Sequence, residues 1–157
     1  MKGILMRKIA VAVMLLAVMG WAGCMLHSMD LPPDFVSVDK GYLGPYVVRA
    51  VAADGVMVAL RVEPNPERGT LAFWTEAITN QMTGQGYKAV KSEDVSCTTG
   101  EAGRLLTFSV QKQGVAFSYI LAVFVKGNDI LIAEAGGKAA TVEPKLAEIR
   151  KALLTAK

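Results

Sequence analysis

The chain has 157 residues, of which 52% are hydrophobic and 20% charged, and its formal net charge is +3. This length suits one compact domain and leaves little room for a second. Lys2, Arg7 and Lys8 account for the whole excess, because the other 14 of the 17 basic residues equal the 14 acidic ones in number, so the body of the chain is neutral and its charge does not indicate a nucleic-acid-binding protein.

An uncharged apolar segment, residues 9–26, follows these basic residues directly. A basic start, an apolar stretch and then small residues form the pattern of a secretory signal. Residues 9–22 alone are too short to span a bilayer, which takes roughly 20 apolar residues, whereas the whole of 9–26 has the length of a borderline uncleaved anchor. The segment therefore predicts export, followed either by cleavage or by retention as an anchor.

Ala22, Gly23 and Cys24 stand near the end of this segment. They resemble the lipobox of bacterial lipoprotein precursors, although Trp21 occupies the position where that family usually has Leu. The resemblance implies that the thiol of Cys24 is alkylated by a diacylglycerol, since a thiol is the nucleophile in this reaction. It also implies that residues 1–23 are removed as a signal peptide and that the new N-terminus receives an acyl chain such as palmitate.

Cys24 is thus the predicted site of lipid attachment, and residues 24–33 form a lipidated tether. Fully extended, this tether spans at most ~35 Å, and the tandem Pro32 and Pro33 stiffen its end next to the domain. Two or more acyl chains anchor a protein stably without a spanning helix. By resemblance, Met25 in place of Asp after the cysteine favours the periplasmic face of the outer membrane in a diderm source, so the predicted location is the cell envelope.

The predicted domain, residues 34–157, begins with three strands. They are rich in β-branched and aromatic residues and cover residues 35–38, 45–52 and 56–63. Asp54 followed by Gly55 is typical of a tight hairpin turn, so the second and third strands are expected to pair.

A helix is predicted over residues 70–85. Thr70 is a suitable N-cap, and Gly84 and Gly86 are suited to end the helix. One apolar stripe recurs at helical spacing and consists of Leu71, Trp74, Ile78 and Met82.

Four further strands and a second helix complete the domain. The strands are predicted at residues 87–95, 104–111, 115–126 and 130–135. The third of these is apolar on both faces, which indicates a central strand covered on each side. After Gly136 and Gly137, a helix with Thr141 as its cap and Pro144 in its first turn would bury Val142, Leu146, Ile149 and Leu153.

This order of elements predicts an α+β domain, a mostly antiparallel β-sheet packed by two helices. Residues 35–156 resemble the PsbP-like family in this order, and the run RLLTFSVQKQGVAFSYILAVFVKGNDILIAEAGG leading into a terminal helix strengthens the resemblance. The family includes lumenal photosystem subunits, a Ran-binding protein and DcrB-type bacterial lipoproteins. The resemblance implies a PsbP-like α/β/α sandwich and a binding or assembly role without a shared catalytic apparatus. No site residues are inferred from it.

Candidate residues for catalysis are few. His27 is the single histidine, and its position in the tether predicts a solvated linker residue. Histidine-based triads and multi-histidine zinc sites are therefore excluded from the domain.

Cys97 is the remaining candidate nucleophile, because lipidation of Cys24 would leave it without a disulfide partner. It lies in a polar loop close to Glu93, Asp94 and Glu101, and acidic neighbours disfavour a thiolate. We expect a half-buried, unreactive loop cysteine. The same carboxylates are the only grouping that suggests a calcium site, and solvated loop ends are the more frequent outcome for such residues.

These observations favour a non-catalytic binding or assembly factor that needs no cofactor or metal and has an envelope protein as partner. The alternative is a small-molecule or lipid-binding carrier with a pocket between sheet and helices, and an enzyme based on Cys97 is less favoured. Phe73 lies a quarter-turn from the apolar stripe of the first helix, either at the edge of the core or in a partner-facing patch. An apolar patch around it would favour the assembly factor, and a sizeable cavity with a polar group would favour the carrier.

Overall fold

The computed structural model describes residues 27–38 and 46–157. In this part of the chain, seven strands form one antiparallel sheet in the order β1-β2-β3-β7-β6-β5-β4. Helices pack on both of its faces, which confirms the predicted α+β sandwich. The strands are β1 Phe35–Ser37, β2 Tyr46–Ala52, β3 Met57–Pro64, β4 Lys88–Ser96, β5 Ala102–Lys112, β6 Val115–Lys126 and β7 Asp129–Lys138.

The predicted signal peptide and Cys24 lie outside the described residues. Among the described helices, none has both the length and the apolar character that crossing a bilayer would require.

β6 and β7 form the centre of the sheet, and β6 is buried over much of its length. This confirms that the strand with two apolar faces is covered on both sides. β7 continues beyond the predicted end at residue 135, since Gly136 still pairs with Met57 and Tyr119. The expectation that the Gly-Gly pair ends the strand was therefore wrong, because neighbours on both sides keep those residues in the hydrogen-bonding ladder.

α1, Leu71–Gly84, covers one face of the sheet. The Oγ1 of Thr70 accepts a hydrogen bond from the backbone N–H of Phe73 at 3.2 Å, which confirms the predicted N-cap. The predicted apolar stripe is also confirmed, since Ile78 is buried and its helical neighbours pack with it against the sheet. The strand residues beneath this helix are Leu106, Phe108, Leu121, Val123, Ile130 and Ile132.

The opposite face is covered by α2, Ala139–Val142, a 3₁₀ turn, Glu143–Lys145, and α3, Leu146–Leu153. Thr141 is not the cap that the sequence predicted, because helical geometry begins at Ala139 directly after β7. Leu146 is 45% exposed and does not belong to the predicted buried seam. The 3₁₀ turn has fewer residues per turn than an α-helix, so it shifts the phase of α3 and turns Leu146 outward.

Residues 27–33 run along this same face beside α3, and we call them the strap. Ser28 and Lys157 exchange two backbone hydrogen bonds, of 2.8 and 3.0 Å. Met29 is only 6% exposed and belongs to the core under α3. Residues 27–33 of the predicted tether are thus docked on the domain, because they carry apolar side chains that the sheet can bury.

Candidate functional site

One half of the sheet has no helix over it among the described residues. α1 packs against β4, β5 and β6, so no described helix covers the same face of β1, β2 and β3, and we call it the open half-face. Large hydrophobic side chains are exposed there: Val36 is 69% exposed, Met57 40% and Tyr46 36%. Clustered exposed apolar residues are typical of interaction sites, whereas single ones are not.

Strand register produces a hollow in this face. Arg49, Ala59 and Glu134 stand side by side on three neighbouring strands. The next row brings Met57 and Gly136 together with Tyr119. The small side chain of Ala59 and the absence of one at Gly136 leave a hollow of about 310 Å³ between the larger neighbours.

Gly136 is required for the shape of this hollow. A Cβ at this position would lie 2.8 Å from Cδ2 of Tyr119, closer than real Cβ contacts. The Tyr119 ring therefore lies over the glycine, and this position lets its hydroxyl reach the carboxylate of Glu134.

Glu134 forms the floor of the hollow and is 7% exposed. The Tyr119 hydroxyl donates a hydrogen bond to its Oε2, and Nε of Arg61 lies 3.5 Å from the same oxygen. Burying a carboxylate costs free energy unless the group is paired. The hydrogen bond from Tyr119 and the positive charge of Arg61 offset this cost.

The two tyrosines of the hollow are held in their protonated, donating form. Burial raises the pKa of Tyr119, and the negative charge of Glu134 and the hydrogen bond to it raise it further. Burial also raises the pKa of Tyr46, again with a contribution from Glu134. Both phenols therefore act as neutral hydrogen-bond donors at neutral pH.

Arg61 links this cluster to a second carboxylate, since its Nη1 lies 2.9 Å from Oε1 of Glu63. Burial lowers the pKa of Arg61, but Glu134 and Glu63 outweigh that effect and raise it overall. Arg49 lies over the Tyr46 ring at 5.4 Å. Arg49 and Glu134 are the two charged residues in the lining and make it neutral overall, with polar groups at its centre and an apolar rim. This arrangement can hold a ligand or partner group.

Sequence reasoning missed Glu134. The available signal was its position as a single acidic residue in the apolar run ILIAEAGG of a predicted strand. A charged residue in a buried strand is informative because such residues are rarely buried without partners. Its partners lie on β3 and β6, and only the register of the sheet brings them together.

Cys97 lies apart from the hollow, in the core on the α3 side of the sheet. It is 6% exposed and therefore more deeply buried than the half-buried loop cysteine predicted. Its thiol donates a hydrogen bond to Oε2 of Glu101 at 2.8 Å, and Thr98 ties the loop to the Leu154 carbonyl at 2.8 Å. These contacts give Cys97 a structural role in joining the β4–β5 loop to the end of α3.

The carboxylates considered as a calcium site do not converge. Each faces a different cation: Glu93 pairs with Lys91 and Arg150, Asp94 with Arg104, and Glu101 with Lys126. Residues 27–38 and 46–157 contain no group of three side chains suited to hold a metal ion.

His27 and Phe73 also differ from expectation. The His27 side chain is 11% exposed, with Nε2 3.3 Å from Oδ2 of Asp129, so it is not the solvated linker residue predicted. Its burial follows from the docking of the strap. Phe73 is 57% exposed and meets the Trp74 ring edge to face at 5.2 Å, which places it outside the core.

Comparison with protein-family models and with curated protein sequences finds no match. Solved structures do share the fold. The solution structure of cyanobacterial PsbP (CyanoP) from Synechocystis sp. PCC 6803 superposes with a TM-score of 0.64 at 13% identity, covering 83% of this chain and 85% of that one.

Two other structures are similar to this chain. LpqN of Mycobacterium tuberculosis, described as involved in cell envelope biogenesis, has a TM-score of 0.58 at 14% identity, with coverage of 81% of this chain and 79% of that one. PA94, a Pseudomonas aeruginosa protein of unknown function, has a TM-score of 0.57 at 15% identity, with coverage of 82% and 81%. The chain therefore has a PsbP-like α+β fold.

Proposed function

We propose that this protein is a lipid-anchored protein of the bacterial cell envelope whose domain binds a protein partner through the open half-face, without catalysis. The observation that carries the binding role is the hollow itself. It combines a buried carboxylate, two phenol donors and an exposed apolar rim on a part of the sheet that no described helix covers.

The chemistry of the hollow supports binding over turnover. Its lining includes tyrosine, arginine and glutamate side chains but no cysteine or histidine. Glu134 faces Arg61 at 3.5 Å and Arg49 lies over the Tyr46 ring, so a partner would meet preformed donors and acceptors. An apolar rim around central polar groups is also the usual composition of a ligand-binding concavity.

Two observations support the envelope location. The N-terminal sequence has the lipobox pattern that ends in Cys24. LpqN, whose fold this chain shares, is described as involved in cell envelope biogenesis. Lipidation of Cys24 would hold the domain at a membrane surface by its acyl chains.

Intact mass of the protein extracted from membranes tests the anchor. Loss of residues 1–23 together with the added mass of a diacylglycerol and an acyl chain supports the proposal. An unmodified chain that retains Met1 contradicts it, and Cys24→Ser should then leave the membrane association unchanged.

Site-specific photocrosslinking in cells tests the binding surface. A photoreactive residue at Met57, on the rim of the hollow, should crosslink to one defined protein, whereas the same residue at the exposed Glu148 on α3 should not. Ala59→Leu fills the hollow and should abolish the Met57 crosslink, while Ala72→Leu on the exposed side of α1 should preserve it. Equal crosslinking at Met57 and Glu148 would refute a role for the open half-face.

The carrier function remains a second candidate because the hollow, at about 310 Å³, lies at the lower limit of small-molecule pockets. Native mass spectrometry of the protein purified from cells checks this candidate. A bound small molecule that disappears in Ala59→Leu and persists in Ala72→Leu would favour the carrier over the protein-binding role.

A further inference from the structure

We infer that the strap fixes the orientation of the domain on the membrane, with one defined end of the sheet against the bilayer surface. This end carries the β6–β7 turn, residues 127–128, and we call it the anchor end. The inference rests on the proposed lipidation of Cys24, and it adds which surface of the domain the lipid layer meets.

The strap joins the domain at this end through paired backbone groups. Ser28 donates a hydrogen bond to the Lys157 carbonyl at 2.8 Å, and Lys157 donates one back to Ser28 at 3.0 Å. Asp30 adds a third, from its N–H to Oγ1 of Thr155 at 2.8 Å. Three hydrogen bonds within three residues hold the start of the strap in one place.

Side-chain burial reinforces this attachment. Met29 is 6% exposed, and Leu31 packs against the same core as α3. Burying these apolar side chains stabilises the docked position of the strap. The strap is therefore part of the fold, and its start is not a free linker.

Contacts of His27 identify the end of the sheet to which the strap is fixed. Its Nε2 lies 3.3 Å from Oδ2 of Asp129, the first residue of β7. The β4–β5 loop lies at this end as well, since Thr98 donates to the carbonyl of Leu154 at the end of α3. From here the strap leads towards β1, whose first residue Phe35 pairs with Ala52 at the other end of β2.

The length of chain between lipid and domain then limits the geometry. Only Met25 and Leu26 separate Cys24 from His27. Three residue steps span at most roughly 10 Å, about a third of the thickness of the hydrocarbon core. A domain held this closely cannot turn its opposite end to the membrane, because the sheet is several times longer than this link.

Two basic side chains of the anchor end are paired with carboxylates, whereas Arg68, beside Gly127 and Asn128, has no ion pair among the described residues. Lys126 pairs with Glu101 at 3.3 Å, and Arg104 pairs with Asp94 at 3.1 Å. Peripheral proteins that bind anionic lipids by charge present clusters of unpaired basic residues. In this arrangement the acyl chains provide the affinity for the membrane, and the docked strap fixes the orientation of the domain on it.

Depth-dependent fluorescence quenching in the full-length lipidated protein tests this orientation. The variants carry Cys97→Ser together with Asn128→Cys in the β6–β7 turn or Gln113→Cys in the β5–β6 turn, each labelled with a small fluorophore. The two turns are joined by the 12 residues of β6, so they lie roughly 40 Å apart. The vesicles contain phosphatidylethanolamine, phosphatidylglycerol and lipids with a spin label at the headgroup.

Quenching at position 128 should exceed quenching at position 113 several-fold. Inserting about ten Gly and Ser residues between Leu26 and His27 adds a flexible link of roughly 17 Å, so this variant should lose most of the difference while its strap stays intact. Equal quenching at both positions, in protein whose mass shows an acylated Cys24, overturns the orientation and leaves the lipid anchor standing. A mass without acyl groups overturns the anchor and the orientation together.

Discussion

Glu134 is the residue on which the proposed binding site depends, and its burial makes it sensitive to the loss of a partner. The Tyr119 hydroxyl donates a hydrogen bond to Oε2 of Glu134, and the positively charged Arg61 places its Nε 3.5 Å from the same oxygen. Neither contact is encoded near Glu134 in the sequence. A mutation at any of the three therefore acts on the other two.

Tyr119→Phe should destabilise the domain by about 1–3 kcal/mol, the cost of leaving a buried acceptor without its donor. In the Glu134→Gln background the same change should cost less, since the buried charge is gone, and chemical denaturation of the four proteins would measure this coupling. Tyr87→Phe is the matched control, because its ring lies 6.1 Å from that of Tyr119 without a hydrogen bond to Glu134. An equal effect of the two Tyr→Phe changes would contradict the assigned role.

Glu101 makes the stability depend on pH. The Cys97 thiol, followed by the Thr99 hydroxyl, donates to its carboxylate and lowers the pKa from 4.5 to about 2. A lowered pKa means that the stabilisation is complete above pH 4.5 and is lost as the pH falls towards 2. Urea unfolding across this range should show a shallower pH dependence in Glu101→Gln than in the parent protein. Glu76→Gln, on the exposed side of α1, should change the slope little.

For single residues, the sequence predicted the surroundings of a side chain less well than it predicted secondary structure. It indicated that Cys97 is unreactive, and the buried thiol is consistent with that role. It did not reveal Glu134, because the partners of that carboxylate, Tyr119 and Arg61, lie on two other strands. His27 was misjudged for a similar reason, since nothing in its neighbours indicates that Asp129 lies beside it.

Among the elements, those defined by local signals were predicted correctly. The Asp54–Gly55 hairpin, the Thr70 cap and the apolar stripe of α1 depend on residues within a few positions of one another, and all three are confirmed. Boundaries set by tertiary contacts were missed. β7 continues through Gly136 because strands on both sides pair with it, and α3 changes phase because of the 3₁₀ turn before it.

Two glycines of different elements should respond in opposite ways to alanine. At Gly103 a Cβ would meet the Phe124 ring and lie 2.7 Å from the Val123 carbonyl oxygen, so Gly103→Ala should cost about 1–3 kcal/mol through overpacking. At Gly84 in α1 a Cβ would meet nothing within 4 Å, so Gly84→Ala should stabilise by about 0.5–1 kcal/mol. Thermal unfolding measures both, and a change of the same sign in the two variants would argue against this packing of β5 on β6.

At the scale of the whole molecule, the docked strap makes residues 27–33 part of the folded domain. Met29→Ala should destabilise the domain by about 2–5 kcal/mol, the range for truncating a buried methionine. Met57→Ala provides the same substitution at a side chain that is 40% exposed and should cost much less. Urea unfolding of a chain that contains residues 27–157 measures the difference. Equal costs would mean that the strap does not contribute to folding.

The backbone pairing of Ser28 with Lys157 also has a mechanical consequence. Any pull on the proposed lipid anchor would reach the folded protein first at His27, whose side chain contacts Asp129, and then at Ser28, Met29 and Asp30. The strap lies along the sheet face and belongs to no strand of it. Tension between membrane and partner would therefore peel the strap from the domain, extending the link by several residues, while the seven strands and the hollow between them remain folded.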